Sequence, residues 1–351
     1  MTSLPINILV AGLVFLAPAV PAQTNSLPAD FQRGVNYAHI HRRGHGYGSG
    51  VSRRELAELK KLGVTWIAIT PFGYQRGATA ENLRYDGDRS LTDEDLAGEI
   101  AAAHKLGIRV TLKPHIWSDD FWDGKEWNGT VRQDSVAGHA RWWKGYRTFA
   151  LHFARVAQRS GADQYCIGTE SVRMTTGYPE EWRTLIGEVR QLYRGPVTYA
   201  AHFEKEFDAI PFWDALDSIG ITAYFPLDAP VGASVEQLVA AWQPHRQRIE
   251  KLQAKFQKPV VFLEIGYRAV ADAHQKPWVY DGGVRDKAAQ ARAYEAAFRA
   301  FAGASWWKGA YWWKAFTDRQ RAEARDDGTD FEFRGRPAEQ VLQRWYSGAP
   351  P

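Results

Sequence analysis

Gln164-Tyr165-Cys166-Ile167-Gly168-Thr169-Glu170 is a short, mostly apolar run that ends on a carboxylate. Further along, Val260-Val261-Phe262-Leu263-Glu264-Ile265-Gly266 has the same form. Apolar runs of this length, bounded by turn residues, fit strands of a parallel sheet buried on both faces. Each places a Glu at or near the strand exit among apolar neighbours, where an unpaired carboxylate is costly. Working outward, similar runs occupy residues 33–38, 64–70, 108–114, 197–201, 218–224 and 310–316. Helical patterns alternate with them over 52–62, 92–106, 140–160, 180–193, 207–215, 235–256, 287–301 and 338–346. Ser52 and Thr92 are expected as N-caps, each with an acidic residue three positions on (Glu55 and Asp95). Gly63 and Gly107 stand where a helix end wants a left-handed residue. Eight strands, each followed by a helix, predict an α/β chain folded as one (β/α)8 TIM barrel domain over 23–351. A doubly wound sheet is disfavoured because no Gly-rich dinucleotide turn follows the first strand.

Composition narrows the class. Of 351 residues, 45% are hydrophobic and only one is Cys, which excludes a disordered chain or a disulfide scaffold. Cys166 is read as an inert core thiol. The 44 basic residues against 40 acidic ones leave a net charge of +4, too small and too dispersed for nucleic acid as the main partner. The 15 Trp and 15 Tyr exceed what helix packing needs and suit a cleft that stacks flat ligands. Residues 6–20 form an apolar run, followed by Val20-Pro21-Ala22. It reads as a signal peptide over 1–22, too short to span a bilayer comfortably. The expectation is a secreted or periplasmic monomer with no membrane contact after leader removal.

Paired carboxylates at opposed strand exits suit glycoside hydrolysis. One must be protonated to donate to the leaving oxygen and the other ionised to attack the anomeric carbon. Bringing both beside one sugar raises one pKa, since two like charges cannot both form cheaply in a poorly solvated site.

On these motifs the chain resembles glycoside hydrolase family 113, which contains endo-β-1,4-mannanases. The resembling pieces are Gly34-Val35-Asn36-Tyr37, Ile69-Thr70-Pro71-Phe72-Gly73-Tyr74-Gln75, Leu112-Lys113-Pro114-His115, Ile167-Gly168-Thr169-Glu170, Ile221-Thr222-Ala223-Tyr224-Phe225-Pro226 and Leu263-Glu264-Ile265-Gly266-Tyr267. The resemblance implies a retaining hydrolase of β-linked mannan or a related β-hexosyl polysaccharide, needing no cofactor. By it Glu170 is the general acid/base, Glu264 the nucleophile, and Tyr224 a hydrogen-bond donor that holds Glu264 ionised and aimed. Most members of the wider clan have Asn immediately before the acid/base, binding the sugar 2-hydroxyl; here that residue is Thr169. Asn36, His115 and His202, all near expected strand exits, are the candidates for that contact.

Aromatic residues are expected to build the subsites. Of Trp312 and Trp313 only one can face the barrel, because strand side chains alternate; Trp312 is preferred as the floor beneath the reacting sugar. The loop after the third strand carries Trp117, Trp122 and Trp127, and Trp278 and Tyr280 follow the seventh. Trp142, Trp143, Trp182, Trp242 and Trp345 fall on helical patterns and are expected to pack.

Two other readings compete. His39-Ile40-His41, with His202 and Asp318, has the look of a metal-dependent amidohydrolase barrel, although the sixth strand offers no His. A carbohydrate-binding barrel without catalysis is the other.

Overall fold

The computed structural model describes residues 27–85, 91–121, 125–324 and 326–348. The leader expected over 1–22 and Trp122 lie outside the described residues. The strands are β1 (Gln32–Ala38), β2 (Trp66–Ile69), β3 (Phe72–Gln75), β4 (Arg109–Leu112), β5 (His115–Ser118), β6 (Gln164–Thr169), β7 (Val197–His202), β8 (Ile219–Thr222), β9 (Val260–Ile265) and β10 (Trp307–Phe316). All but β3 and β5 join, strand by parallel strand, into a closed barrel whose last strand returns to β1. Around it pack α1 (Gly50–Lys61), α2 (Asp93–Lys105), α3 (Val136–Ser160), α4 (Val172–Gly177), α5 (Pro179–Leu192), α6 (Val235–Phe256), α7 (Lys287–Phe301), α8 (Arg319–Glu323) and α9 (Pro337–Ser347). The chain is a single-domain (β/α)8 barrel.

Local chemistry accounts for most boundaries. Thr92 caps α2 in a reciprocal capping box with Asp95. α1 starts earlier than expected. Ser49, not Ser52, accepts from the Ser52 N–H, and the Ser52 hydroxyl turns instead to buried Glu99 at 2.7 Å. Gly63 and Gly107 adopt φ of 83° and 67°, as a left-handed helix exit requires. The helix expected over 207–215 is absent, replaced by turns and a short 3-10 segment at Trp213–Ala215. Pro211 lacks an N–H and disfavours a helical Ile210, so only the turn survives there. Pro71 and Pro114 each follow a barrel strand. Beyond them the chain forms a small parallel sheet, β3 against β5, pairing Phe72 with His115 and Tyr74 with Trp117.

Two apolar regions fill the molecule. The larger lies between strands and helices and takes in Trp142, Trp182, Trp242 and Trp345, the helical tryptophans expected to pack, with Trp143 partly buried against them. A smaller cluster inside the barrel holds Trp66, Cys166, Ala200, Leu263 and Tyr311. Burial pushes the Cys166 thiol up to about 12. Gly168 admits the Tyr146 hydroxyl and Tyr199 ring, which would lie 2.4 and 2.9 Å from an added Cβ.

The alternation of strand side chains breaks at the C-terminal rim. Across β8 and β9 the register passes from Ile221 opposite Phe262 to Thr222 opposite Glu264, one extra residue on β9. An irregularity of the same kind lies between Cys166 and Thr169 of β6, and another where β10 meets β1 after Asn36. Such bulges re-aim side chains at barrel rims. Val261 and Leu263 face the interior, so strict alternation would turn Glu264 outward; the extra residue turns it into the mouth.

Candidate active site

Glu264 leaves β9 beside two donors. Lys113, fully buried just past β4, places its Nζ 2.5 Å from Oε1, and the Tyr224 hydroxyl donates to Oε2 at 3.1 Å. His115 Nε2 stands 3.5 Å from Oε1. Burial and the neighbouring Lys113 charge hold the His115 imidazole well below its usual value, so it is neutral. Burial also raises the Tyr224 phenol well above its usual range, which keeps it a donor. The expected contact between Tyr224 and Glu264 is therefore present, together with a cation the sequence reading did not single out.

Glu170 follows β6 with φ of 50°, in the left-handed region. Its N–H donates to Ala200 O at 2.9 Å, and its Oε1 accepts from the Thr222 hydroxyl at 2.5 Å. Because Thr222 is also the register partner of Glu264, one β8 residue links the two carboxyl groups. Burial, then the negative charge of Glu264, pushes Glu170 up to about 8, against the lowering effect of the Thr222 hydrogen bond. At neutral pH it carries a proton. The mouth thus holds a protonated carboxyl beside another that accepts from an ammonium and a phenol.

The other candidate residues separate into groups. Asn36 is buried in the barrel wall, both amide hydrogens taken by Leu263 O and Tyr311 O at 3.0 Å. Thr169 is buried too, its hydroxyl unpaired among the described residues. His202 Nδ1 accepts from the Glu204 N–H at 3.1 Å, and burial lowers its pKa to about 3. Its ring lies 4.7 Å from Trp127 and 4.2 Å from Phe203, on which Trp278 stacks at 5.4 Å. Trp117 packs beside Phe72 and Phe121.

Trp312 is a correction. It is fully buried and stacks on Tyr294 of α7 at 3.7 Å, away from the mouth. Tyr311 faces inward, so alternation sends Trp312 out and Trp313 in. The Trp313 ring lies parallel to His115 at 6.4 Å and 5.6 Å from Lys113 Nζ, with its indole N–H donating to the Tyr280 hydroxyl.

The metal arrangement does not assemble. His39 Nδ1 accepts from the Tyr47 N–H, and Asp318 is bound to His45 at 2.6 Å. Among the described residues no group of three or more His, Cys, Asp or Glu is placed to hold a metal ion.

Lys113 and Thr222 touch the two glutamates, and neither was singled out in the sequence. A Lys inside a buried apolar run needs a partner as much as a Glu does, so Lys113 carried a usable signal. Thr222 carried none, since Thr is an ordinary strand residue.

A parallel barrel with two carboxyl groups at its mouth, one buried beside a hydroxyl and the other beside an ammonium and a phenol, is the layout of a glycoside hydrolase. Comparison with known proteins is specific: the model of Glycoside Hydrolase Family 113 matches residues 35–336, and the chain belongs to that family. It is similar to a solved GH113 β-mannanase from Alicyclobacillus acidocaldarius in complex with ManMIm. That match has 26% identity and a TM-score of 0.80, covering 91% of this chain and 97% of that one. A solved complex of a GH113 β-1,4-mannanase gives 24% identity and a TM-score of 0.80 over 90% and 99% of the two chains. A β-glucuronidase from Faecalibacterium prausnitzii shares the fold alone, at 14% identity and a TM-score of 0.58, over 91% of this chain and 49% of that one. No curated protein matches the chain. The protein is a glycoside hydrolase.

Proposed function

We propose that the protein cleaves β-1,4-linked mannan with retention, Glu264 acting as nucleophile and Glu170 as general acid/base. The carrying observation is the unequal setting of two carboxyl groups at one barrel mouth: Lys113 and Tyr224 both donate to Glu264, while Glu170 is held by the Thr222 hydroxyl and pushed up to about 8 by burial and the Glu264 charge. In the first step a Glu264 oxygen bonds to C1 as Glu170 passes its proton to the departing glycosidic oxygen. Glu170, now a carboxylate, takes a proton from water; the hydroxide attacks C1, the bond to Glu264 breaks, and the sugar leaves with its original β configuration. Lys113 and Tyr224 hold the attacking carboxylate on line, and Thr222 steadies Glu170 in either protonation state.

Mannan as the substrate is supported by the similarity to β-mannanases. The contact to the sugar 2-hydroxyl is assigned to His115. Asn36 has both amide hydrogens engaged in the barrel wall and His202 sits in the aromatic row, whereas His115 Nε2 has no hydrogen-bond partner among the described residues and faces Glu264. Trp313 takes the place given to Trp312 as the aromatic surface beside the reacting sugar, and Trp127 and Trp278 extend the cleft. The apolar segment 6–20 supports export, where a polysaccharide substrate would be met. Among the described residues no helix is long and apolar enough to cross a membrane.

The test is activity on mannan, cellulose and galactan, with the anomeric form of the product followed by NMR. Glu170→Ala with azide should yield a β-azide product and Glu264→Ala an α-azide. Turnover like the parent enzyme in either variant, or an inverted product, would remove the assignment. Binding of manno-oligosaccharides without release of reducing ends would make the protein a carbohydrate-binding barrel instead.

A further inference from the structure

Glu206 lies in the turns after β7 and is fully buried. A carboxyl group there must be hydrogen-bonded, and both of its oxygens are. Oε1 accepts from the Tyr199 hydroxyl and the Thr175 hydroxyl, each at 2.6 Å, and Oε2 accepts from the His202 N–H at 2.8 Å. None of these partners forms part of the mechanism above. One of them leads to it: the Tyr199 hydroxyl accepts from the Ser171 N–H at 2.6 Å. The chain from Ser171 N–H to Tyr199 hydroxyl to Glu206 carboxylate uses one donor and one acceptor on the phenol, so each bond polarises the next.

Ser171 is the residue after Glu170. The left-handed backbone of Glu170 is unfavourable for a non-glycine residue and persists only where its surroundings over-determine it. Here it is tied on both sides, by Glu170 N–H to Ala200 O and by Ser171 N–H to Tyr199. Thr175, on α4 just beyond, is held by the same carboxylate.

We propose that Glu206 is a positioning residue for the acid/base: through Tyr199 it fixes the peptide after Glu170 and so the direction of the Glu170 carboxyl. This rests on the reading of Glu170 as the proton donor. The charged and titratable groups around Glu170 are Glu264 on β9, Lys113 beyond β4, Glu206 itself, and the phenols Tyr224 and Tyr280. Burial raises Glu206 as well, and its charge is among the influences that raise Glu170.

The test compares two substrates: a manno-oligosaccharide, whose leaving group needs a proton, and a dinitrophenyl β-mannoside, whose leaving group does not. Glu206→Gln should lower kcat/KM on the oligosaccharide by about ten- to a hundredfold, part of what general acid catalysis supplies. The activated substrate should be nearly unaffected. The alkaline limb of the pH profile should move to lower pH, because a negative charge beside Glu170 is gone. Tyr199→Phe, which leaves that charge in place, should reproduce the substrate-selective loss, and it decides alone if melting curves show that Glu206→Gln does not fold. Equal loss on both substrates, or no loss on either, overturns the proposal. A parent enzyme inert on both would overturn the hydrolase reading itself, and this inference with it.

Discussion

Thr222 donates its hydroxyl to the Glu170 carboxyl, the group proposed to give up a proton in one step and take one back in the next. Its donated bond favours the ionised form of Glu170, opposing burial and Glu264. Thr222→Val keeps the shape and removes the donor, so Glu170 should hold its proton to higher pH. The alkaline limb of kcat/KM should move upward, the opposite of the shift expected for Glu206→Gln. A limb that stays put or moves down would show that the bond does not set the titration. At this scale Glu170 and Glu264 were legible as candidates because strand-exit carboxylates are unusual among apolar neighbours, and Tyr224 through the family resemblance. Lys113 was within reach on the same logic. Thr222 and Glu206 were not, because one looks like any strand residue and the other lies in a polar turn whose burial no local pattern announces.

Strand alternation decides which tryptophan of β10 turns toward His115 and Lys113 at the barrel mouth. Trp312→Ala should leave a cavity against Tyr294 and Phe298 and cost about 3–5 kcal/mol of stability, read as a lowered Tm, with kcat/KM per folded molecule little changed. Trp313→Ala should do the reverse, keeping Tm near that of the parent while kcat/KM falls by about tenfold or more, equivalent to ~1.4 kcal/mol or more. Exchange of those two phenotypes would reverse the assignment of faces. The alternation of strands and helices was legible in the sequence because hydrophobic periodicity and caps are local. The bulges at the exits of β6 and β9 were not, since one extra residue in a ladder shows only when its partner strand is known. The small sheet of β3 and β5 escaped for a related reason: Pro71 and Pro114 end the apolar runs, and its pairing is set by the barrel strands before them.

Among the described residues of the whole molecule, three carboxyl groups favour their protons in the folded state. Glu99 and Glu206 are pushed up to about 7 and Glu170 to about 8, in each case chiefly by burial, from 4.5. Through these three groups the folded state holds protons that the unfolded one releases from about pH 4.5 to 8, and they weaken folding as pH rises through that window. His115, His202 and His245 act oppositely, being held below 6.5, chiefly by burial, but only under that pH. Stability should thus fall from pH 6.5 to 8, with fully buried Glu99 and Glu206 each contributing up to about 1.4 kcal/mol per unit. Melting curves across that range check it: Glu99→Gln should flatten the decline, and a Tm that rises would contradict it.

The pairing of Lys113 with Glu264, beside a Glu170 that keeps its proton, leaves the resting mouth close to electroneutral. Uncharged hexose units enter such a place without a counter-ion. A uronate residue would bring a carboxylate to a centre whose ammonium is already engaged, so on the proposed assignment the contact that aims Glu264 would also disfavour charged polymers.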